Sequence, residues 1–259
     1  MNPAALDISN GIKNYNAWLQ LAKNDIKQKF RRSLIGPFWI TISMAVMITV
    51  MSLVFSLLFK QNIQKTMPYI TVGIILWNYV TSTLNESSVS LCEASSFIRN
   101  LPFPLSLHIY RVVARNLIIF GFNSVIYVLV AIIFSVDISF GILRFIPAFM
   151  LLVLTLVGLS FACAIVSTRY RDVPQIISNL LLVLFYITPI FWSKSDLPEN
   201  IFIIKINPIY YYFDIIRAPL LGSTSENSSY YICIVLTATS LLVSYIIFRV
   251  KFNKIPYWV

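Results

Sequence analysis

Long apolar runs alternate with short polar segments along this chain, and the alternation predicts its secondary structure. Six runs contain no Asp, Glu, Lys or Arg, and they cover residues 33–59, 66–85, 116–136, 145–168, 173–193 and 227–248. A helix rises about 1.5 Å per residue, so a run of roughly 20 residues crosses the hydrocarbon core of a bilayer. The pattern therefore predicts an all-α integral membrane protein.

The six runs predict six transmembrane helices. They are expected at residues 33–59, 67–91, 112–136, 145–168, 173–193 and 228–249, and residues 1–259 form a single transmembrane domain. Residues 1–30 lack an apolar core, so the first run is interpreted as a membrane helix and not as part of a signal peptide.

A basic amphipathic segment precedes the first predicted transmembrane helix. When its residues are plotted at about 100° each, the apolar side chains gather within an arc of about 120° and the lysines lie on the flank. Such a helix lies in the membrane interface, with aromatic rings toward the acyl chains and cations toward anionic lipid head groups. We predict an interfacial elbow helix at residues 12–32, with packing on a partner protein as the alternative.

Composition and charge agree with the membrane assignment. Hydrophobic residues make up 58% of the chain and charged residues 12%, whereas soluble domains have about 25% charged residues. The net charge of +10 is unevenly distributed, because most Lys and Arg residues fall on the side that also holds both termini. This positive-inside bias predicts cytoplasmic N- and C-termini and removes the need for a nucleic-acid partner.

The connection between the fifth and sixth predicted helices, residues 194–226, is too apolar for an ordinary loop. Lys205, Asp214 and Arg217 cut its hydrophobic stretches below the length that spans a bilayer. Irregular backbone at membrane depth must be covered by protein or line a water-filled cavity. Short re-entrant external helices at the outer mouth of a pathway are therefore predicted here.

The sequence lacks the residues for several kinds of chemistry. No Gly-x-x-x-x-Gly-Lys-Ser/Thr loop is present, so if ATP drives this protein, a separate subunit binds it. The single histidine, His108, excludes a histidine-rich metal site and a Ser-His-Asp triad, and no metal site is predicted. The six runs also lack the mid-membrane ionisable residues typical of ion-coupled transporters.

Two arginines share one face at the start of the third predicted helix. Arg111 and Arg115 are spaced i and i+4, so they repel each other and need an anion. Glu86, near the polar end of the second predicted helix, is one candidate partner, and Glu93 is another. Alternatively, the two arginines bind an anionic lipid or a diphosphate head group.

Aromatic residues make up 15% of the chain and are frequent on and after the fifth predicted helix. In membrane proteins, Trp and Tyr commonly anchor a helix at the interface. Alternatively, aromatic faces contact sugar rings weakly at many positions, as a surface along which a long polymer slides requires. The candidates for such a pathway are Phe185, Tyr186, Phe191, Tyr210 and Tyr211.

Four segments occur in an order that resembles the permease subunits of ABC-2-type exporters. They are the basic elbow leading into RRSLIGPFW, the connection IRNLPFPL, the reversal RYRDVPQII, and NPIYYYFDIIRAPLLG before the last helix. The resemblance covers essentially the whole chain. The closest likeness is to the permeases that export O-antigen and other lipid-linked polysaccharides.

The resemblance implies a homodimer in the bacterial inner membrane, surrounded by membrane lipids. It also implies an ABC ATP-binding subunit beneath each copy, which alone binds ATP and Mg²⁺, so no cofactor is expected in this chain. The residues implied to contact the ATPase are Phe97, Ile98, Arg99, Leu101, Pro102 and Phe103, together with Arg169, Tyr170, Arg171 and Asp172.

By the same resemblance, the first and fifth helices line the pathway, which adds Trp39 and Phe55 to the aromatic candidates. Residues 194–226 form the external gate. The implied function is a transport permease, not an enzyme, that moves carrier-linked polysaccharide. A teichoic-acid or capsule exporter of the same family is the nearest alternative. A membrane enzyme acting on lipid-linked sugars is an alternative from another class, but it requires clustered catalytic groups in its loops.

Overall fold

The computed structural model describes residues 2–33, 35–100, 103–137, 140–192 and 206–259, and the regular secondary structure within them is entirely helical. Short 3₁₀ turns lie at Phe140–Arg144 and Phe252–Lys254. The α-helices, in chain order, are α1 (Pro3–Lys13), α2 (Tyr15–Lys29), α3 (Phe38–Leu58), α4 (Ile63–Glu93), α5 (Ser95–Asn100), α6 (Leu105–Ile133), α7 (Phe145–Arg169), α8 (Val173–Ile187), α9 (Pro208–Leu220), α10 (Asn227–Lys251) and α11 (Ile255–Trp258).

The N-terminal segment forms two helices where the sequence predicted one elbow at residues 12–32. Asn2 begins α1, because its side-chain oxygen accepts a hydrogen bond from the amide of Ala4 at 3.2 Å. Asn14 then separates α1 from α2. The prediction missed α1 because its buried residues are small or polar, so no apolar stripe marks them: Ala4, Asp7 and Gly11.

The apolar face of α2 packs against α6. The ring centroid of Trp18 lies 6.1 Å from that of Tyr110, and Ala22 and Ile26 are buried. The aromatic side of the elbow is thus covered in part by this chain's own helix.

Among the described residues, four helical stretches are long and apolar enough to cross a membrane: Phe38–Leu58, Leu105–Ile133, Gly141–Arg169 and Asn227–Trp258. They coincide with four of the six predicted spans. The other two spans differ, because α4 has 31 residues but is too polar and α8 has 15 residues. At about 1.5 Å per residue, α8 is shorter than the hydrocarbon core.

Local features explain where α6 and α8 depart from their predicted bounds. Helix α6 begins at Leu105, well before residue 112, because α1 caps its first turn. Helix α8 ends at Ile187, before residue 193, since Thr188 is extended and precedes a proline, which disfavours helical backbone. Asp172 occupies the N-cap position of α8, but its side chain makes no capping hydrogen bond.

Two hydrophobic cores hold the helices together. The larger core surrounds α4 and includes Leu76 and Tyr79, together with Phe213 and Ile215 from α9. The smaller core joins α1, α6, α7, α10 and α11 through Ala4, Leu105, Phe161, Phe248 and Ile255. Helix α4 is therefore central, and the small core fastens one end of the bundle.

We call the end that contains the small core the basic end. It comprises α1, α2, α5, the α7–α8 turn at residues 170–172, and α11. The opposite end holds residues 188–192 and α9, which lies within the predicted external region 194–226. Residues 194–205 of that region, and residue 193 at the end of the predicted span 173–193, lie outside the described residues.

Candidate functional site

The first segment predicted to contact an ATPase lies on and after α5. Phe97 is 41% exposed and Phe103 is also exposed, whereas Ile98 packs against the small core. Leu101 and Pro102 lie outside the described residues. The segment presents aromatic side chains at the surface of the basic end while one apolar side chain anchors it.

The second such segment is the turn between α7 and α8. Arg169, Tyr170, Arg171 and Asp172 are all exposed. The guanidinium carbon of Arg169 lies 6.0 Å from the ring centroid of Tyr170. This turn therefore offers two cations, one carboxylate and one aromatic ring to a partner.

The C-terminal residues bring the two segments together. The guanidinium of Arg99 donates a hydrogen bond to the main-chain oxygen of Val259, and the guanidinium carbon of Arg169 lies 5.7 Å from the Trp258 ring centroid. A cavity of about 360 Å³ between them is lined by Arg171, Trp258 and Val259, among others. The described parts of the two segments implied to contact an ATPase thus lie on one face of the molecule.

The arginine pair on α6 lies in an ion-pair network. Arg115 Nη2 is 2.8 Å from Glu86 Oε2, and Arg115 Nη1 is 2.9 Å from Asp25 Oδ2. Arg111 Nε donates to Asp25 Oδ2 at 2.7 Å, and Arg111 Nη2 donates to the other carboxylate oxygen. Asn116 donates to Glu86 Oε2 at 2.6 Å. Two carboxylates therefore balance two guanidinium groups between α2, α4 and α6.

Sequence reasoning missed Asp25. Its side chain is only 12% exposed, and it forms a forked pair with Arg111, a geometry that strengthens charge-assisted hydrogen bonds. A signal was present, since Asp7 and Asp25 are the only acidic residues before Glu86. Both of them contact α6, but their sequence separation from it gave no reason to pair them.

Three of the predicted pathway aromatics pack together inside the bundle. The ring of Phe55 is stacked on that of Phe191, with centroids 4.6 Å apart and an interplanar angle of 6°. Phe185 contacts Phe191 edge to face at 5.4 Å and lies 5.5 Å from Trp77. These rings join α3, α4 and α8 near the opposite end.

The other four pathway candidates are spread over separate surfaces. Trp39 on α3 is 54% exposed and Tyr186 on α8 is 71% exposed. Tyr210 and Tyr211 are adjacent on α9, with ring centroids 5.3 Å apart, and Tyr210 lines a cavity of about 330 Å³. The seven candidates do not form one continuous lining within a single copy of the chain.

Arg217 at the opposite end is a buried cation that sequence reasoning did not single out as a site. It is 6% exposed, its Nη1 donates to the main-chain oxygen of Pro189 at 2.8 Å, and its guanidinium carbon lies 3.8 Å from the Tyr69 ring centroid. Burial lowers the pKa of this guanidinium. The arginine ties α9 to α4 and to the residues that follow α8.

The sequence matches the family described as ABC-2 type transporter over residues 16–221, a range that includes α5, the α7–α8 turn and α9. It is 22% identical over 183 residues to the O-antigen export system permease protein RfbA of Myxococcus xanthus, covering 70% of each chain.

Two proteins of the same name from Klebsiella pneumoniae also match. One is 22% identical over 247 residues, which cover 92% of this chain and 91% of the relative. The other is 23% identical over 195 residues, which cover 73% of this chain and 74% of the relative.

Proposed function

The chain belongs to the ABC-2 type transporter family, and from this premise we propose that it exports lipid-linked polysaccharide of the O-antigen kind across the bacterial inner membrane. Membership of this family makes the chain a multi-pass membrane permease and not an enzyme. The observation that carries the proposal is the match to permeases named for O-antigen export, which in one case covers 92% of this chain.

The proposed topology has six spans with both termini in the cytoplasm. In the part of the chain that the structure describes, four helices meet the length and hydropathy of a span by themselves. Helix α4 is added as the fifth because α3, α6, α7, α8 and α9 pack around it, so its polar residues are shielded from lipid. Helix α8, together with the residues after it, forms the proposed sixth span. The positive-inside bias supports a cytoplasmic location for the basic end.

The energy source in this proposal is an ABC ATP-binding subunit, in two copies, that binds ATP and Mg²⁺. The exposed aromatic and basic side chains of α5 and the α7–α8 turn share the basic end with α11, and this shared surface supports docking there. The partner's surface is expected to carry carboxylates that complement Arg169 and Arg171.

We place the polysaccharide pathway between two copies of this chain. Helix α8 buries only Leu181, and α3 buries only Met44 and three other residues. Large exposed apolar side chains on both helices support either lipid contact or pairing with a second copy. In the proposed homodimer, Trp39 and Tyr186 face the pathway, and Tyr210 and Tyr211 lie at its external gate.

Genetic deletion in the native cells tests the proposal. Cells without the chain are expected to lose long-chain polysaccharide from their surface and to accumulate it, still attached to its carrier lipid, on the cytoplasmic side. The tagged wild-type chain is expected to co-purify with a subunit that carries a Walker motif. Normal surface glycan together with the absence of such an ATPase contradicts the proposal. Accumulated polyol-phosphate or capsular polymer instead assigns the alternative exporter of the same family.

A further inference from the structure

A carboxylate from α1 caps the start of α6. Asp7 Oδ2 accepts the amide N–H of Leu105 at 2.8 Å, and Oδ1 accepts that of Ser106 at 2.9 Å. The Ser106 hydroxyl donates back to the main-chain oxygen of Asp7 at 2.9 Å. The first amides of a helix have no partner within the helix, and Pro104 supplies no side-chain cap. Helix α1 therefore completes the N-terminus of α6.

Helix α1 also lies directly against that first turn. A Cβ atom at Gly11 would fall 2.2 Å from the Ser106 hydroxyl oxygen, far inside van der Waals contact, so a side chain at residue 11 fits only if that hydroxyl moves or is replaced. Ala4 is fully buried in the small core that also contains Leu105. The two helices are thus joined by both hydrogen bonds and close packing.

Helix α2 is attached to the same stretch of α6. The Asp25 carboxylate pairs with Arg111 and Arg115. The Trp18 indole N–H donates to the main-chain oxygen of Gly11 at 3.1 Å, which links α2 to α1. Helices α1 and α2 therefore contact residues 105–115 of α6 at successive turns.

The attachment of α1 and α2 to α6 lies between two other parts of the chain. Helix α6 directly follows the segment that is implied to contact the ATPase, and α2 leads through residues 30–37 into α3. On the basis of the proposed function, we propose that Asp7 is a positioning residue for energy coupling. It fixes α1 to α6, so that α1, α2 and the start of α6 move as one body and carry the ATPase's motion to α3.

A disulfide between α1 and α6 tests whether they move as one body. The Cβ position at Gly11 lies 3.1 Å from Ser106 Cβ, slightly under the separation of about 3.5–4.5 Å in disulfides. Gly11→Cys and Ser106→Cys are combined in a chain whose exposed Cys92 is replaced by Ser, and the complex with its ATPase is reconstituted in vesicles. Oxidation is expected to change glycan transport per ATP less than twofold. The single-cysteine variants serve as controls.

Loss of transport on oxidation, with recovery after reduction, overturns the inference, because it means that α1 and α6 must separate during the cycle. The reduced double-cysteine protein is the internal reference for any effect of the substitutions themselves.

Removal of the carboxylate tests the role of Asp7. Asp7→Ala is expected to assemble with the ATPase and to hydrolyse ATP within twofold of wild type, but to move at least tenfold less glycan per ATP. Oxidising the Gly11→Cys/Ser106→Cys pair in the Asp7→Ala chain is expected to restore that ratio. Asp7→Asn keeps one side-chain acceptor, so its glycan transport per ATP is expected to lie between those of wild type and Asp7→Ala. It replaces Asp7→Ala in the comparison if Asp7→Ala does not fold. Asp137→Asn, at an exposed carboxylate, is the matched control.

The outcomes separate this inference from the function on which it rests. A wild-type complex that moves no glycan contradicts both. If the wild-type complex transports glycan, two results overturn the role of Asp7 alone. One is that Asp7→Ala moves as much glycan per ATP as wild type. The other is that Asp7→Ala moves less and the cross-link does not restore transport.

Discussion

At the scale of single residues, charged side chains on α6 and α9 have partners far away in the sequence. Those on α6 pair with a carboxylate, and the one on α9 stacks on an aromatic ring. Arg111 and Arg115 meet Asp25 from α2, and Arg217 meets the ring of Tyr69 from α4. Isolated charges in an apolar bundle are costly, so each such contact fixes one helix relative to another.

We expect Asp25→Asn to destabilise the protein by about 2 kcal/mol, because the negative charge and one of the acceptor oxygens that pair with two guanidinium groups are lost in a partly buried site. Thermal unfolding of the purified chain in lipid nanodiscs measures the change. Asp137→Asn removes an exposed carboxylate and is expected to leave the unfolding midpoint unchanged. An equal midpoint for Asp25→Asn and wild type would show that the network contributes nothing to stability.

Gly73→Ala and Gly121→Ala form a matched pair within long helices. A Cβ at Gly73 would lie 2.4 Å from Arg217 Nη2 and 3.1 Å from the main-chain oxygen of Ile190, whereas a Cβ at Gly121 has no neighbour within 4 Å. Gly73→Ala is therefore expected to lower the unfolding midpoint by displacing the buried arginine. Gly121→Ala is expected to raise stability by up to about 1 kcal/mol, since alanine favours helix over glycine. The same thermal measurement decides both, and similar effects for the two variants would contradict the packing of Arg217 against α4.

The sequence predicted part of this residue-scale arrangement. The i, i+4 spacing of Arg111 and Arg115 indicated that they need an anion, and Glu86 was among the candidates. Asp7 and Asp25 could not be assigned to α6, because only the tertiary fold brings α1 and α2 to it. Arg217 was taken as an interruption of an apolar stretch, and its stacking on Tyr69 has no local sequence signal.

At the scale of helices, capping side chains determine where a helix begins. Some caps are adjacent to the helix in sequence, and others come from a distant part of the chain. Asn207 caps α9 locally, since its Oδ1 accepts the amide of Ile209 at 3.0 Å, and its Nδ2 donates to the Thr188 hydroxyl at 2.7 Å. One side chain thus links the end of α8 to the start of α9. Local caps are visible in a sequence, whereas the capping of α6 by Asp7 is not, which is why its start was placed too late.

Asn207→Ala is expected to loosen the start of α9, with a cost of about 1 kcal/mol for the lost cap. Hydrogen–deuterium exchange of the first turn of α9 is expected to accelerate severalfold. Asn62→Ala removes the local cap of α4, where Asn62 Oδ1 accepts the amide of Gln64 at 2.9 Å, and is expected to affect only that helix. Unchanged exchange at α9 in Asn207→Ala would contradict the linking role.

At the scale of the whole molecule, the basic end and the opposite end have different constructions. The basic end is held by a separate small core and presents both segments implied to contact an ATPase on one face. The opposite end is joined by aromatic packing and by Arg217. Long apolar runs were enough to predict helices in a membrane. The shortness of α8 and the polarity of α4 show that hydropathy alone does not determine how many helices cross it.

The proposed homodimer is tested by cysteines on α8. Tyr186 is 71% exposed and Leu181 is 4% exposed, so they sample the outer and inner faces of the same helix. With the exposed Cys92 replaced, Tyr186→Cys is expected to cross-link two copies through a short bifunctional maleimide in native membranes, and Leu181→Cys is not. If both variants give only monomers after cross-linking, the pairing of two copies through α8 is contradicted.

The most direct test of the central claim measures movement of the polysaccharide itself. Inside-out membrane vesicles are prepared from cells that contain this chain and its ATPase, and carrier-linked glycan is supplied on the outer side. We predict that ATP makes the glycan resistant to an added glycan hydrolase, and that vesicles without this chain or with a hydrolysis-deficient ATPase give no protection. Continued sensitivity of the glycan in wild-type vesicles that hydrolyse ATP would contradict the account.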